Sequence, residues 1–120
     1  MKIGDIVKKT GLSAHTLRYY ERIGLLPYAL RDEAGQRYYD NAILPWIAFL
    51  QRLKTTGMPI RDMLRYASLR GGGAATHPER RRLLETHRQQ LRAHIAELQS
   101  SLLVLDAKIA GYAGANALEE

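Results

Sequence analysis

Four polar side chains recur at helical spacing near the start of this 120-residue chain: His15, Arg18, Tyr19 and Arg22. On a helix they share one face, because positions three and four apart are neighbours there. Cations and hydroxyl donors in that array suit phosphates and base edges. Arg18 can grip guanine bidentately or clamp a phosphate, and Tyr19 can donate its hydroxyl. His15 and Thr16 would lie near the helix N-terminus, where a recognition helix meets bases. The bland alternative is a solvated arginine beside a partly buried tyrosine, and Tyr20 is read in that way, as core. A second polar pair, Arg37 and Tyr38, falls in a short β-prone run whose alternation decides which of the two points outward. Arg31 would stand opposite Arg37, either joining it or pairing with Asp32 or Glu33.

Other chemistries are poorly served. The sequence has no cysteine, which excludes disulfides, thiolate metal sites and thiol nucleophiles. Of its four histidines, His87 and His94 are seven apart and would share a helix face. No histidine or carboxylate at i+3 or i+4 is expected to complete the ligand set a metal needs. No metal and no cofactor are therefore expected. Without a nucleophile–base pair, a phosphate loop or a metal set, the chain does not read as an enzyme.

The net charge is +6, and residues 1–70 hold the whole excess, with 12 Lys/Arg against 6 Asp/Glu. Residues 71–120 are neutral. A basic head on a neutral appendage points to a polyanion, and DNA is favoured over lipid because no helix pairs a Lys/Arg face with a broad Trp/Phe/Leu face. No apolar run approaches the roughly 20 residues that span a bilayer, and the start MKIGDIVKKT has no apolar export region. No membrane partner is expected, and the cytoplasm is the expected location.

The elements that would hold the polar face follow from periodicity. Ile3, Ile6, Val7 and Thr10 outline one short helix, and Gly11 stops it. Ser13 caps a second helix over about residues 14–23, with Leu17, Tyr20 and Ile23 inward. Val7, Gly11 and Leu17 stand at the spacing of a helix-turn-helix, with the glycine expected where a side chain would clash. Tyr28–Arg31 and Gln36–Tyr39 flank an Asp-x-x-Gly turn and read as a hairpin, which in this position is a wing. Asp40 is expected to cap a third helix over about 41–56, with Ile43, Trp46, Ile47, Leu50 and Leu53 buried and Pro45 causing at most a slight kink. Pro59 opens a fourth helix to about Leu69, carrying Ile60, Met63, Leu64 and Ala67 inward. Trp46, Tyr66 and Tyr112 read as core aromatics, with a small-molecule pocket as the lesser alternative. Gly71-Gly72-Gly73 reads as a flexible linker over 71–77.

From Pro78 the pattern changes. Leu84, Leu91, Ile95, Leu98, Leu102, Leu105, Ile109 and Tyr112 step by seven and then alternately by four and three, an a/d seam broken only at Arg88. A narrow stripe on a lone helix about 50 Å long is not stable by itself. The simplest partner is a second copy, so residues 78–112 read as a coiled-coil dimerisation helix and 113–120 as a fraying tail. The expected fold is mainly α: a winged helix-turn-helix head of four helices and a two-stranded wing over residues 1–70, followed by the linker, the coil and the tail.

Gly11-Leu12-Ser13, Thr16-Leu17-Arg18-Tyr19-Tyr20-Glu21, Gly24-Leu25-Leu26-Pro27, Gly35-Gln36-Arg37-Tyr38-Tyr39 and Thr56-Gly57-Met58-Pro59 resemble, at matching spacing, the head of the MerR family of bacterial transcription regulators. The long helix resembles the dimerisation helix of short members related to aldehyde-responsive regulators. The resemblance implies a homodimer, joined by an antiparallel coiled coil, on a palindrome inside a promoter. Such proteins activate by bending and untwisting the spacer when an effector binds, with RNA polymerase as a partner at the promoter. It further implies DNA contacts from Thr16, Arg18 and Tyr19 on the recognition helix, from Arg37 and Tyr38 on the wing, and from Lys54 to a phosphate. With Ser13 and His15 these are the expected DNA-binding residues; Leu84, Leu91, Ile95, Leu98, Leu102, Leu105 and Ile109 are the expected dimerisation residues. Gln36 departs from the family, which usually has a wing tyrosine there. The absence of cysteine excludes the thiol sensing of metal- and electrophile-responsive members, and no large C-terminal drug-binding domain is expected. An architectural, excisionase-like DNA-binding factor shares this head, but the long coil argues against it.

Overall fold

The structure, a computed structural model, describes residues 1–114; most of the expected tail, 115–120, lies outside the described residues. In chain order come α1 (Ile3–Thr10), α2 (Ala14–Ile23), β1 (Leu30–Arg31), β2 (Arg37–Tyr38), α3 (Ile43–Thr55), α4 (Ile60–Arg70), a 3-10 helix (Gly73–Thr76) and α5 (His77–Ala113). The chain divides into two compact units, Met1–Leu84 and the segment from Glu85 onward.

In the first unit one core gathers Ile6 from α1, Leu17 from α2, Leu25, Leu26 and Tyr39 from the loops, Ile43, Trp46, Ile47, Leu50 and Leu53 from α3, and Met58 and Met63 around α4. The turn between α1 and α2 is tied three ways. Thr10 Oγ1 donates to the Ile6 carbonyl at 2.7 Å, the Gly11 N–H donates to the Val7 carbonyl at 2.9 Å, and the Thr16 N–H donates to Ser13 Oγ at 3.1 Å. The last of these is the N-cap expected of Ser13. Gly11 is needed for a different reason from the expected clash. A Cβ built there meets nothing within 4 Å, whereas its φ of +76° is a conformation that L side chains rarely adopt.

The hairpin forms in the expected place, with Leu30 opposite Tyr38 and Arg31 opposite Arg37. Asp32 closes its turn: its carbonyl accepts from the Gly35 N–H at 3.0 Å and its Oδ1 from the Gln36 N–H at 2.8 Å. Gln36 in turn accepts from Lys2 Nζ at 2.7 Å, so a contact to the N-terminal segment holds this wing position.

Two expectations about the helices need correction. α3 starts at Ile43 rather than near Asn41, because Asp40 closes a separate turn first. Its Oδ1 accepts from the Ala42 N–H at 2.9 Å, and its carbonyl accepts from the Ile43 N–H at 3.0 Å. Pro45 is thereby the third residue of α3, inside the first turn, where no N–H is required. On α4, Ile60 is 49% exposed instead of inward; the turn residue Met58 is buried just ahead of it. The triple glycine, read as a linker, is hydrogen-bonded into a turn and a short 3-10 helix. Thr76 Oγ1 donates to the Leu69 carbonyl at 2.6 Å, and Arg80 reaches back to the Gly73 carbonyl and Thr76 Oγ1, both at 3.0 Å. A Cβ on Gly72 would come within 2.7 Å of Thr76 Cγ2, so its place is sterically filled.

At the start of α5, Leu83 and Leu84 pack against the core of the first unit. Further along, no residue of α5 is buried. Ile95, Leu98, Leu102, Leu105, Ile109 and Tyr112 are all exposed, as are Leu103 and Val104 beside them. Tyr112, read as a core aromatic, is therefore not one in the single subunit. His94 does have a carboxylate three residues on, since its Nδ1 lies 4.0 Å from Glu97; this is one ion-pair contact, and no cluster of three metal-ligating side chains occurs among the described residues.

Candidate nucleic-acid interface

The outward face of α2 is set by what its inward face buries. Leu17 and Glu21, four residues apart, are buried, and Tyr20 packs partly against the core. That rotation leaves His15, Arg18, Tyr19 and Arg22 exposed on the other side. The guanidinium of Arg22 lies 5.9 Å from the Tyr19 ring centroid, and the Tyr19 and Tyr20 rings stand 6.1 Å apart, so the phenol is braced from both sides. Thr16 is half-buried and accepts a hydrogen bond from Ser13 Oγ at 2.9 Å. Ser13 thus both caps α2 and holds Thr16, and it stays exposed.

On the wing, Arg37 is exposed and Tyr38 half-buried, which resolves the alternation in favour of the arginine as the outward residue. Arg31 does not turn to Asp32 or Glu33: its Nη1 donates to the Gly35 carbonyl at 2.7 Å. Two cations directly across a two-stranded ribbon repel each other, and an anion shared between them offsets that cost. Lys54, exposed near the end of α3, lines a cavity of about 240 Å³ together with Leu12 and Tyr20, which puts it beside the helix-turn-helix.

The wing and α2 are joined by a pair that the sequence reading missed. The Tyr39 hydroxyl donates to Glu21 Oε2, and both residues are buried, at 4% and 8% exposure. Burial first, and then the hydrogen bond and negative charge of Glu21, push the Tyr39 phenol up to about 12, while Arg37 and Arg18 act in the opposite sense. Both arginines therefore lie close enough to feel the same phenol, one from the wing and one from α2. The signal in the sequence was the i, i+4 relation of Leu17 and Glu21, which puts a carboxylate on the inward face and demands a buried donor.

The fold and this cationic surface can be set beside known proteins. The description "MerR family regulatory protein" matches residues 2–39, and "MerR, DNA binding" matches residues 44–108. The chain belongs to the MerR family. An HTH-type transcriptional regulator of Haemophilus influenzae is 42% identical over 111 residues, covering 92% of this chain and 82% of that protein. The regulator AdhR of Bacillus subtilis is 38% identical over 91 residues, covering 76% of this chain and 65% of AdhR. This chain so spans just under two thirds of AdhR. Among solved structures, HiNmlR, a MerR family regulator lacking the sensor domain and bound to promoter DNA, is 40% identical with a TM-score of 0.83, covering 98% of this chain and 93% of that one. Members of the family are DNA-binding transcription regulators, and the mainly helical, winged architecture is the one this chain shares with them.

Proposed function

We propose that this MerR-family chain regulates transcription by binding a palindromic promoter operator as a homodimer. It would distort the promoter in response to an effector, with RNA polymerase as its partner there. The observation that carries this reading is the exposed polar face of α2, His15, Arg18, Tyr19 and Arg22, tied to the strand end that follows Arg37 by the buried Tyr39–Glu21 hydrogen bond. A helix and a hairpin whose cations are fixed relative to each other suit one groove and its flanking phosphates. In this reading Ser13, His15, Thr16, Arg18 and Tyr19 meet the DNA from α2, Arg37 and Tyr38 from the wing, and Lys54 from α3. The half-buried Leu91 and the exposed apolar residues from Ile95 to Ile109 join two subunits, which sets two heads on two half-sites. Leu84 contributes less to that interface, being partly used within its own subunit. The protein acts in the cytoplasm and catalyses no reaction.

A gel-shift titration on the promoter region upstream of its own gene tests this reading. It should give a salt-dependent complex that needs both halves of a palindrome. Equal affinity for any duplex of that length would defeat it. The exposed seam also weighs against an architectural, excisionase-like role, which needs no such dimer.

A further inference from the structure

At the base of the wing lies a cavity of about 240 Å³ lined by Pro27, Tyr28, Leu30, Ile43, Trp46 and Arg70. Its walls are apolar and aromatic, and Tyr28 and Leu30 leave large side chains 75% and 51% exposed there. Arg70 supplies the charge. Its guanidinium carbon lies 4.2 Å from the Trp46 ring centroid, and it has no ion pair or side-chain hydrogen bond among the described residues. A guanidinium stacked on a ring has only its flat face engaged; its N–H donors lie in the plane and stay available. An arginine in that state beside an apolar cavity matches a carboxylate, whose two oxygens fit the fork. Tyr39 and Asp40 also line the cavity; Asp40 Oδ1 accepts from the Ala42 N–H at the entrance to α3, and among the described residues no ion pair joins Asp40 to Arg70. The volume is below that of a drug-sized pocket and suits a ligand of about ten non-hydrogen atoms.

We propose that this cavity binds a small planar aromatic carboxylate, with the carboxylate on Arg70 and the ring among Tyr28, Leu30 and Trp46. Leu30 pairs with Tyr38 and precedes Arg31 on β1, so an occupant touches the strand that carries a wing cation. This site lies within one subunit and does not depend on the promoter reading.

Trp46 is the only tryptophan in the chain, so its emission reports on the cavity without a label. The full-length protein would be titrated, without DNA, with benzoate, benzyl alcohol and benzylamine. Benzoate should give a saturable change, with benzyl alcohol bound at least about 10-fold more weakly for want of a charge-assisted hydrogen bond. Benzylamine should bind more weakly still. Arg70→Gln, checked for folding by circular dichroism, should erase the preference for benzoate. Saturation-transfer NMR reads binding in that variant, since loss of the stacked arginine alters Trp46 emission directly. No saturable benzoate response in the folded protein, equal affinity for all three probes, tighter binding of benzylamine, or unchanged benzoate affinity in Arg70→Gln would each overturn the proposal. Since no DNA is present, such a failure leaves the promoter reading to its own test.

Discussion

The two units of this chain use their apolar residues in opposite ways. In Met1–Leu84, Ile6, Leu17, Leu25 and Ile47 are each at 1% exposure, and aliphatic and aromatic side chains from four helices close one core. From Glu85 onward α5 buries nothing, and Leu102, Leu103, Val104 and Leu105 are each more than half exposed. An uncovered apolar stripe of that length on a helix that cannot bury it locally is what the proposed dimer would cover. The head closes its own core and leaves its outer face available for a ligand, whereas the helix carries its apolar stripe uncovered within the subunit. Stability in the first unit is therefore local, and under the proposed dimer that of the second would depend on concentration.

The sharpest way to break that contrast is to charge the seam. Leu98→Asp combined with Leu105→Asp should yield a monomer in sedimentation velocity while leaving the head's circular dichroism and proton NMR dispersion in place. Losing the second head removes the gain from simultaneous binding, so operator affinity should fall by about 100- to 10,000-fold. A variant that still sediments as a dimer would show that the seam is not the interface. Cutting into the head should do the reverse. Ile47→Ala removes buried volume from a closed core and should cost about 2–5 kcal/mol in urea denaturation. Its effect on the subunit association constant should be small by comparison; a large one would mean that the two units are not energetically separate.

What was legible in the sequence divides along the same line. The helices of the head, the Ser13 cap, the wing and its Arg31–Arg37 register follow from local rules: spacing three and four apart, a capping hydroxyl, and a turn of fixed length. The long helix and its exposed apolar stripe were legible because a heptad pattern needs no knowledge of tertiary structure. What local rules missed depends on partners distant in sequence. Composition alone made the triple glycine a linker, and the hydrogen bonds from Thr76 and Arg80 that fold it into a turn are not visible there. Ile60 fits the apolar period of α4 but lies at its first turn, where Met58 is buried instead. The reason for Gly11 lay in its backbone angle and not in crowding. Glu21 and Tyr39 are 18 residues apart, and only the fold of the wing brings them together.

That pair offers a third prediction, inside the head. Tyr39→Phe leaves the buried Glu21 carboxylate without its donor and should cost about 1–3 kcal/mol. It should also change the alkaline limb of the stability curve. The folded phenol titrates at about 12 against an ordinary 10.0, so folding favours its neutral form. The stabilisation from this group is complete below pH 10 and is lost as pH rises towards 12, by an amount on the order of 2 kcal/mol. Urea melts of the parent and Tyr39→Phe between pH 9 and 11 should converge as pH rises. A constant difference across that range would show that the phenol does not titrate with folding.

The smallest effects separate residues that read sequence from residues that only hold phosphate. Arg18 is exposed in the middle of α2, whose Leu17 and Glu21 are buried. If it reaches a guanine edge, Arg18→Ala should cost about 1–3 kcal/mol on the operator and much less on unrelated duplex, narrowing the ratio between them. Lys54 stands at the end of another helix with a flexible stem, a geometry suited to a point charge against phosphate. Lys54→Gln should weaken both duplexes alike and lower the slope of log affinity against log salt by about 1. Measured across three salt concentrations, the two variants should differ in kind: one changes the intercept for a single sequence, the other the slope for all. If Arg18→Ala behaved as Lys54→Gln does, α2 would be gripping the backbone, and the reading of bases would have to come from His15, Thr16 or the wing.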